Sequence, residues 1–496
     1  MVQKAISHAC VFIIIRKNGE NVKDRRTPER WRIKWLYIDM EQEKIYNISV
    51  IHICEWGGIT MLVCKFGGSS LADAKQFEKV KDIIRRDPQR RFIVPSAPGK
   101  RGPGDEKITD LLYACQSAAA AGRNFKHIFE RIAFRYTEIA EELQVDFPQE
   151  WLDEVCKQIA DGASPMLAAS RGEYLSGKLL ARYLGVTFVD AAEVIRFTRD
   201  GHLDEETTNA LLSARLMPLE RAVVPGFYGA DEDGRIITFS RGGSDVSGAL
   251  VARAVNADVY ENWTDVSGFR MADPRIVPDA KHISTLTYRE LRELSYMGAT
   301  VLHEEAVFPV RKAGIPTNIR NTNDPLHPGT MIHDVAERDP NGCVITGIAG
   351  HKGFTIISVE KDMMNAELGF GRRVLQAVEE AGVNFEHLPT GIDTMCVVVS
   401  EKELSGKRDQ VIDRIRELTH PDTISVHEHL ALIATVGRGM VHAFGTAARL
   451  FTAISTQGVS IRTIDQGSSE ISIIVGVDEQ DFEKTISAIY DTFVRT

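Results

Sequence analysis

From Met61 onward, short apolar runs end in glycine-bearing turns and lead into amphipathic helical stretches. This alternation limits the possible folds more than any other feature of the chain. "MLVCKF" reads as a strand, "GGSS" as a turn and "LADAKQFEKVKDIIRR" as a helix with Leu71, Phe77, Val80 and Ile84 on one stripe. "RFIVPSA", "VTFVDAAEVI", "RAVVPGFYGA" and "GRIITFS" are further apolar runs, most of them followed by helical sequence. Strands alternating with helices imply a mostly parallel sheet covered on both faces, with ligands at the carboxyl ends of the strands. At one such end Lys65 precedes Gly67, Gly68 and Ser69, a turn whose backbone N–H groups can hold a phosphate at a helix entrance. The Walker pattern is absent, so this would be a different solution to phosphate binding. At another end "SRGGSD" brings Arg241 and Asp245 into a second glycine turn before a helix. After the strand "ADVYE", the loop "NWTDVSGFRMADPRIVPDAKHI" carries Thr264, Asp265, Asp273 and Arg275.

The rest of the composition narrows the class. The chain has 496 residues, enough for two to four domains, and a net charge of -10, which argues against nucleic acid or a membrane surface as the main partner. No apolar run approaches the ~20 residues that span a bilayer. Seven cysteines are scattered without a C-x-x-C pair, the usage of a reducing cytoplasm. Residues 1–60 stand apart: they hold Trp31, Trp35 and Trp56 and the basic stretch "RKNGENVKDRRTPERWRIKW". Glu55-Trp56-Gly57-Gly58 must be encoded by a G-rich, mostly purine stretch just before the Met61 codon, where a bacterial ribosome-binding site would sit. We therefore expect an N-terminal extension that is upstream translation, with Met61 as the start, or disordered.

After the proline-bearing linker "NTNDPLHPGTMI" the pattern changes and a repeat emerges. "QAVEEAGVNFEHLPTGIDTMCVVV" matches "TAISTQGVSIRTIDQGSSEISIIV", with Gly382 on Gly458 and Gly391 on Gly467. The first copy reads as a complete βαββαβ unit, whereas the second lacks its closing strand. A four-stranded sheet missing a strand has an open edge, and the leftover strand "CVITGIAGHK" is available to fill it. The expected organisation is a catalytic domain over 61–335, a first unit over 353–428, and a second built from 343–352 with 429–496.

The motifs "KFGGSS", "VPSA", "ITDLL", "RGEYLS", "VVPGFYG", "SRGGSD", "TDVSGFRMADPR" and "VLHEEAVFPVRKAGIPTNIRNT", in this order, resemble the aspartate kinase family from residue 61 to the C-terminus. The repeated units resemble ACT domains. The resemblance implies an α/β amino-acid-kinase fold with a mostly parallel sheet between helix layers, plus two ferredoxin-like βαββαβ ACT domains. It implies ATP-dependent phosphorylation of the L-aspartate side chain to 4-phospho-L-aspartate and ADP, the first step toward lysine, threonine and methionine, in the cytoplasm. Lys65 would stabilise the transferring phosphoryl group, with Gly67, Gly68 and Ser69 beside it and Asp245 orienting it. Glu173 would hold the α-ammonium and Arg241 the α-carboxylate, with Ser96, Thr109, Gly243 and Ser244 near the substrate. Thr264, Asp265, Arg270, Asp273, Arg275, Thr300 and Val301 match the nucleotide region. Magnesium would arrive with ATP, and no resident metal site is expected; His282 and His303 read as structural.

The same resemblance implies an amino-acid effector, lysine with threonine the runner-up, at Met364, Glu367, Gly369, Asn384 and Glu386. It also implies a homodimer or dimer of dimers joined through residues 343–496. No dehydrogenase sequence follows, so a monofunctional chain is expected. There are departures: "GATVLH" has Thr300 where lysine is frequent, Arg270 stands where an aromatic is frequent, and "TGID" puts Gly391 and Ile392 where polar groups are usual. Two other readings remain: a kinase for another amino-acid carboxylate or a carbamate, and a non-catalytic amino-acid sensor with a decayed kinase domain.

Overall fold

The structure, a computed structural model, describes residues 9–16, 32–39, 44–51, 61–240, 242–299, 302, 304–335 and 343–495. Residues 1–60 and 61–496 are separate compact units. The first, read from sequence as upstream translation or disorder, contains three antiparallel strands in the order β1 (Ala9–Arg16), β2 (Arg32–Asp39), β3 (Lys44–Ile51).

In the second unit the sheet strands are β4 (Leu62–Phe66), β5 (Arg90–Pro95), β6 (Thr187–Phe188) and β7 (Ala222–Val223). A ribbon of β8 (Tyr228–Ala230) and β9 (Ile236–Thr238) follows, and β10 (Val259–Thr264), β11 (Thr285–Thr287), β12 (Thr317–Asn321) and β13 (Thr330–His333) return to the sheet. The sheet order is β11-β13-β12-β10-β4-β5-β7-β6, and every pairing is parallel except β12 with β13. Central β4 is buried along its whole length, as a parallel strand covered on both faces must be. Two expected strands are shorter than their apolar runs: "VTFVDAAEVI" keeps only Thr187–Phe188 in the sheet, and "RAVVPGFYGA" only Ala222–Val223. "RAVVPGFYGA" is broken at Pro225-Gly226-Phe227, where Phe227 takes φ 78, so its second half pairs with "GRIITFS" in the ribbon and leaves the sheet.

The C-terminal half has one antiparallel sheet in the order β15 (Thr394–Ser400), β14 (Gly347–Glu360), β16 (Thr423–Val436), β18 (Ser472–Asp478), β17 (Ile461–Asp465). β14 and β16 pair antiparallel along almost their full length, with register irregularities between Lys352 and Ile356. Gly347–Lys352 therefore lies beside Ala431–Val436, and Phe354–Glu360 lies between β15 and the first half of β16. "VNFEHLP" forms only an isolated bridge, His387 with Val398, and Thr390 just after it bridges Met395; Pro389 has no N–H to offer a ladder there. Ile357, Val374, Val397, Val411 and Ile415 form a small core of their own in the first repeat. The second repeat packs into the main core through Leu450, Ile454 and Ile489.

Candidate active site

The carboxyl ends of β4, β5 and β10 converge on Lys65. The turn after β4 is tied to both neighbours: the Gly67 N–H donates to the Trp263 carbonyl at 2.9 Å, and the Gly99 N–H to the Gly68 carbonyl at 2.8 Å. Lys65 is only 8 % exposed, and its Nζ lies 2.6 Å from Asp245 Oδ1. Asp245 stands in the first turn of the helix Gly243–Ala254, where a carboxylate is favoured by the helix dipole. Gly243 and Ser244 form the entrance of that helix and are buried with it. Ser96 follows β5, its N–H donating to the Phe66 carbonyl at 3.0 Å, and Thr109 sits in the first turn of the helix Ile108–Ala120.

Glu173 enters from the helix Pro165–Leu184, which is capped by Ser164 accepting from Leu167 N–H and is stopped by Gly185 in the left-handed region. The helix lies hard against the loop after β5 because residue 172 is glycine; a Cβ there would meet the Ala97 Cβ at 2.8 Å. Glu173 is thereby 5 % exposed, and its Oε2 has no hydrogen-bond partner among the described residues. Burial pushes its carboxyl up to about 8, against the opposing pull of the Ala97 N–H and of Arg171 and Lys65. The site thus sets a committed ammonium beside a buried carboxyl that forms no ion pair among the described residues.

Beside this centre is a cavity of about 450 Å³, lined by Asp265, Arg270, Asp273 and Arg275 and closed by Ile348 and Ala349 of β14. Thr264 ends β10, its hydroxyl donating to Asp265 Oδ1 at 3.2 Å. Arg270 is fixed by a 2.9 Å bond from Nη1 to the Ala280 carbonyl. Arg275 is spent on Asp273 at 2.6 Å, which holds the Asp273 carboxyl below its ordinary range. His282 faces the same cavity, its ring edge-on to His327 with centroids 4.6 Å apart. Arg241, Thr300, Val301 and His303 lie outside the described residues.

In the first repeat Met364 is buried in a short 3-10 turn, and Gly369, at φ 77, opens the helix Phe370–Glu380. Glu367 is already neutralised by Lys361, at 2.6 Å, and by Arg373. Asn384 is exposed, and Glu386 accepts a hydrogen bond from the Tyr296 hydroxyl. The two acids expected to act together thus have separate partners. In the second repeat a cavity of about 550 Å³ is lined by Met440 and Gly445, which stand one repeat after Met364 and Gly369.

Sequence reasoning passed over Asn262, whose Nδ2 donates to Asp245 Oδ1 at 2.7 Å, and Phe227, packed on Gly243 with a left-handed backbone. The available signal was "VYENWT": two consecutive polar residues inside a strand that a parallel sheet buries on both faces.

Comparison with known proteins gives the family. The amino acid kinase family model matches residues 60–321, and an ACT domain model matches 433–493. Aspartokinase 3 of Bacillus subtilis (strain 168) is 40% identical over 455 residues, covering 87% of this chain and 98% of that one. The chain belongs to the aspartate kinase family. It is an enzyme of that activity, with an amino-acid-kinase domain followed by ACT structure. The crystal structure of Clostridium acetobutylicum aspartate kinase is 52% identical and superposes with a TM-score of 0.82, covering 88% of this chain and 100% of that one. Aspartokinase III of E. coli in complex with aspartate and ADP, in the R-state, is 26% identical with a TM-score of 0.67, covering 87% and 99%. The same enzyme in complex with lysine and aspartate, in the T-state, gives 26% and 0.69, covering 88% and 99%. Among the described residues no helix is long and apolar enough to cross a membrane.

Proposed function

We propose that this aspartate kinase transfers the γ-phosphoryl group of ATP to the side-chain carboxylate of L-aspartate, giving 4-phospho-L-aspartate and ADP. The bond from the γ-phosphorus to the β,γ-bridging oxygen breaks, one from phosphorus to a carboxylate oxygen forms, and ADP leaves with the electron pair. An aspartate side chain is ionised at neutral pH, so no base is needed; positioning and charge neutralisation are the task. The observation that carries the reading is the Lys65–Asp245 pair set beside the unpartnered buried carboxyl of Glu173. Lys65 would leave Asp245 to follow the transferring phosphoryl group, with Gly67, Gly68 and Ser69 offering N–H groups. Glu173 would take the substrate ammonium and Arg241 its α-carboxylate, while Ser96, Thr109, Gly243 and Ser244 enclose it.

The nucleotide would occupy the 450 Å³ cavity, with Arg270 over the base, Thr264 and Asp265 near the ribose and phosphates, and Thr300 and Val301 adjoining. Arg275 would exchange Asp273 for phosphate. Among the described residues no cluster of three acidic, histidine or cysteine side chains is built to hold a metal. A magnesium ion carried in by the phosphates fits that donor set, and Asp265 would be available to hold its water. Bound, it would neutralise phosphate charge.

The regulatory reading is that residues 353–428 and 343–352 with 429–496 are two interleaved ACT domains. The pairing of Gly347–Lys352 with Ala431–Val436 supports that division. The proposed effector is lysine, its side-chain ammonium going to Glu386, which has no cation partner among the ion pairs described, and not to Glu367, which has two. Exposed Met363, Leu368 and Ile392 around the site support burial against a second chain, hence a homodimer or a dimer of dimers. ATP-dependent hydroxamate formation with hydroxylamine and L-aspartate tests the catalytic reading. Trapped aspartyl hydroxamate is expected, and none forming with aspartate, or an equal yield with glutamate, overturns it.

A further inference from the structure

We propose that Asn262 is a positioning residue for phosphoryl transfer, holding Asp245 in place while Lys65 moves to the phosphoryl group. The inference rests on the reading of Lys65 given above. Asn262 and Lys65 are register partners on adjacent parallel strands, so their side chains leave the sheet on the same face. Above that face lies the helix Gly243–Ala254. Asp245 Oδ1 accepts from Asn262 Nδ2 at 2.7 Å and lies 2.6 Å from Lys65 Nζ. One carboxylate oxygen therefore serves an ammonium and an amide together. The backbone of Asp245 is held by the same strand, since the Tyr260 hydroxyl donates to its carbonyl at 3.1 Å. Gly248 permits that approach; a Cβ there would sit 2.6 Å from the Tyr260 hydroxyl oxygen.

The chemistry of the pair explains why an amide belongs there. A buried ammonium bonded to a lone carboxylate has two ways to meet an arriving phosphate: it drags the carboxylate along, or it breaks a strong pair outright. A second donor on Oδ1 shares the oxygen's lone pairs, which loosens its hold on Lys65. It also keeps the carboxylate plane fixed once the ammonium has shifted. Asn262 is 3 % exposed, so its amide has little water to turn to. Among the described residues the charged groups facing position 262 are Asp245 from the helix and Lys65 from β4, with the Tyr260 hydroxyl on its own strand. Glu261, one residue back, points to the other face and is consumed by Arg90, Arg320, Cys64 and Trp263.

Two variants test this. Asn262→Leu keeps the branching at Cγ and removes the donor; kcat should fall about tenfold, the loss expected of one hydrogen bond to a charged group, with the aspartate KM changed less than about twofold. Asn262→Asp separates positioning from packing. Two adjacent carboxyls cannot both ionise freely, so one of them titrates well above its ordinary range. While protonated, Asp at 262 donates to Asp245 as the amide does; once ionised it repels Asp245. Its kcat relative to the native enzyme should therefore rise as pH is lowered from about 8 to about 6. Thermal melting of both variants checks the fold, and the pH profile of Asn262→Asp decides the matter if the leucine variant does not fold. Native kcat in Asn262→Leu, or a deficit in Asn262→Asp that does not change with pH, overturns the proposal. Lys65→Ala keeps the two readings distinct: native turnover there removes the reading of Lys65 itself, whereas an inactive Lys65→Ala beside a native Asn262→Leu removes only this one.

Discussion

Glu173 has the least comfortable position of any carboxyl in the site. It is buried, one of its oxygens has no partner among the described residues, and Lys65, which acts on it alongside Arg171, is committed to Asp245. Its folded-state value of about 8 lies above the ordinary glutamate range, so the empty site holds a proton at neutral pH. The stability it contributes is full below the ordinary glutamate pKa and is lost as pH rises through about 8. Binding the substrate ammonium requires the ionised form and so releases that proton. The apparent aspartate KM should accordingly fall as pH is raised from about 6 to about 8 and level off above that. Glu173→Gln should melt higher than the native enzyme in alkaline buffer while raising the aspartate KM more than about tenfold, the loss of a charge-assisted bond. Steady-state kinetics across pH with calorimetric melting checks both. At this scale the sequence marked the residue but not its state. "RGE" named Glu173, yet its burial depends on Gly172 closing against Ala97, a contact between segments about 75 residues apart. The Lys65–Asp245 pair spans 180 positions, and only the resemblance brought the two residues together.

Among the elements, the helix Tyr288–Tyr296 joins the catalytic body to the regulatory half. Its start carries a capping box, Thr287-x-x-Glu290, that sequence reasoning passed over, and the structure forms both of its bonds. The second duty of Glu290 was not legible. Fully buried, it also accepts from the Thr346 hydroxyl at 2.6 Å and from Arg438 through N, at 2.9 Å, and Nη1, at 2.7 Å. Glu290→Ala breaks a buried ion pair as well as the cap, and should destabilise the chain by about 3–5 kcal/mol; denaturant titration reads it, and a change within 1 kcal/mol would contradict the role. The strand–helix alternation placed β4, β5 and β10 from local pattern alone, because period and glycine turns are local properties. β14 and β16 were harder: each runs through both repeats as one strand, and nothing local reveals that.

At the scale of the whole molecule, regulation must act by different affinity for two conformations. Glu386 links the proposed lysine subsite to Tyr296 at the end of that helix, so an ammonium at Glu386 competes with a contact to the catalytic half. Lysine at subsaturating aspartate should weaken apparent aspartate affinity roughly 5- to 150-fold, the range of ordinary coupling energies. The effect should vanish in Glu386→Ala and shrink in Tyr296→Phe. Inhibition by threonine with lysine silent would refute the effector assignment. Sedimentation of the same protein should show a dimer or tetramer.

The central claim is that Lys65 neutralises the transferring phosphoryl group, and Lys65→Ala tests it most directly. In the aspartate-dependent hydroxamate assay at saturating ATP and aspartate, turnover should fall at least about 100-fold, as expected for one lost transition-state charge contact. An unchanged melting temperature would show that the fold survives. Near-native turnover in a folded Lys65→Ala would contradict the account.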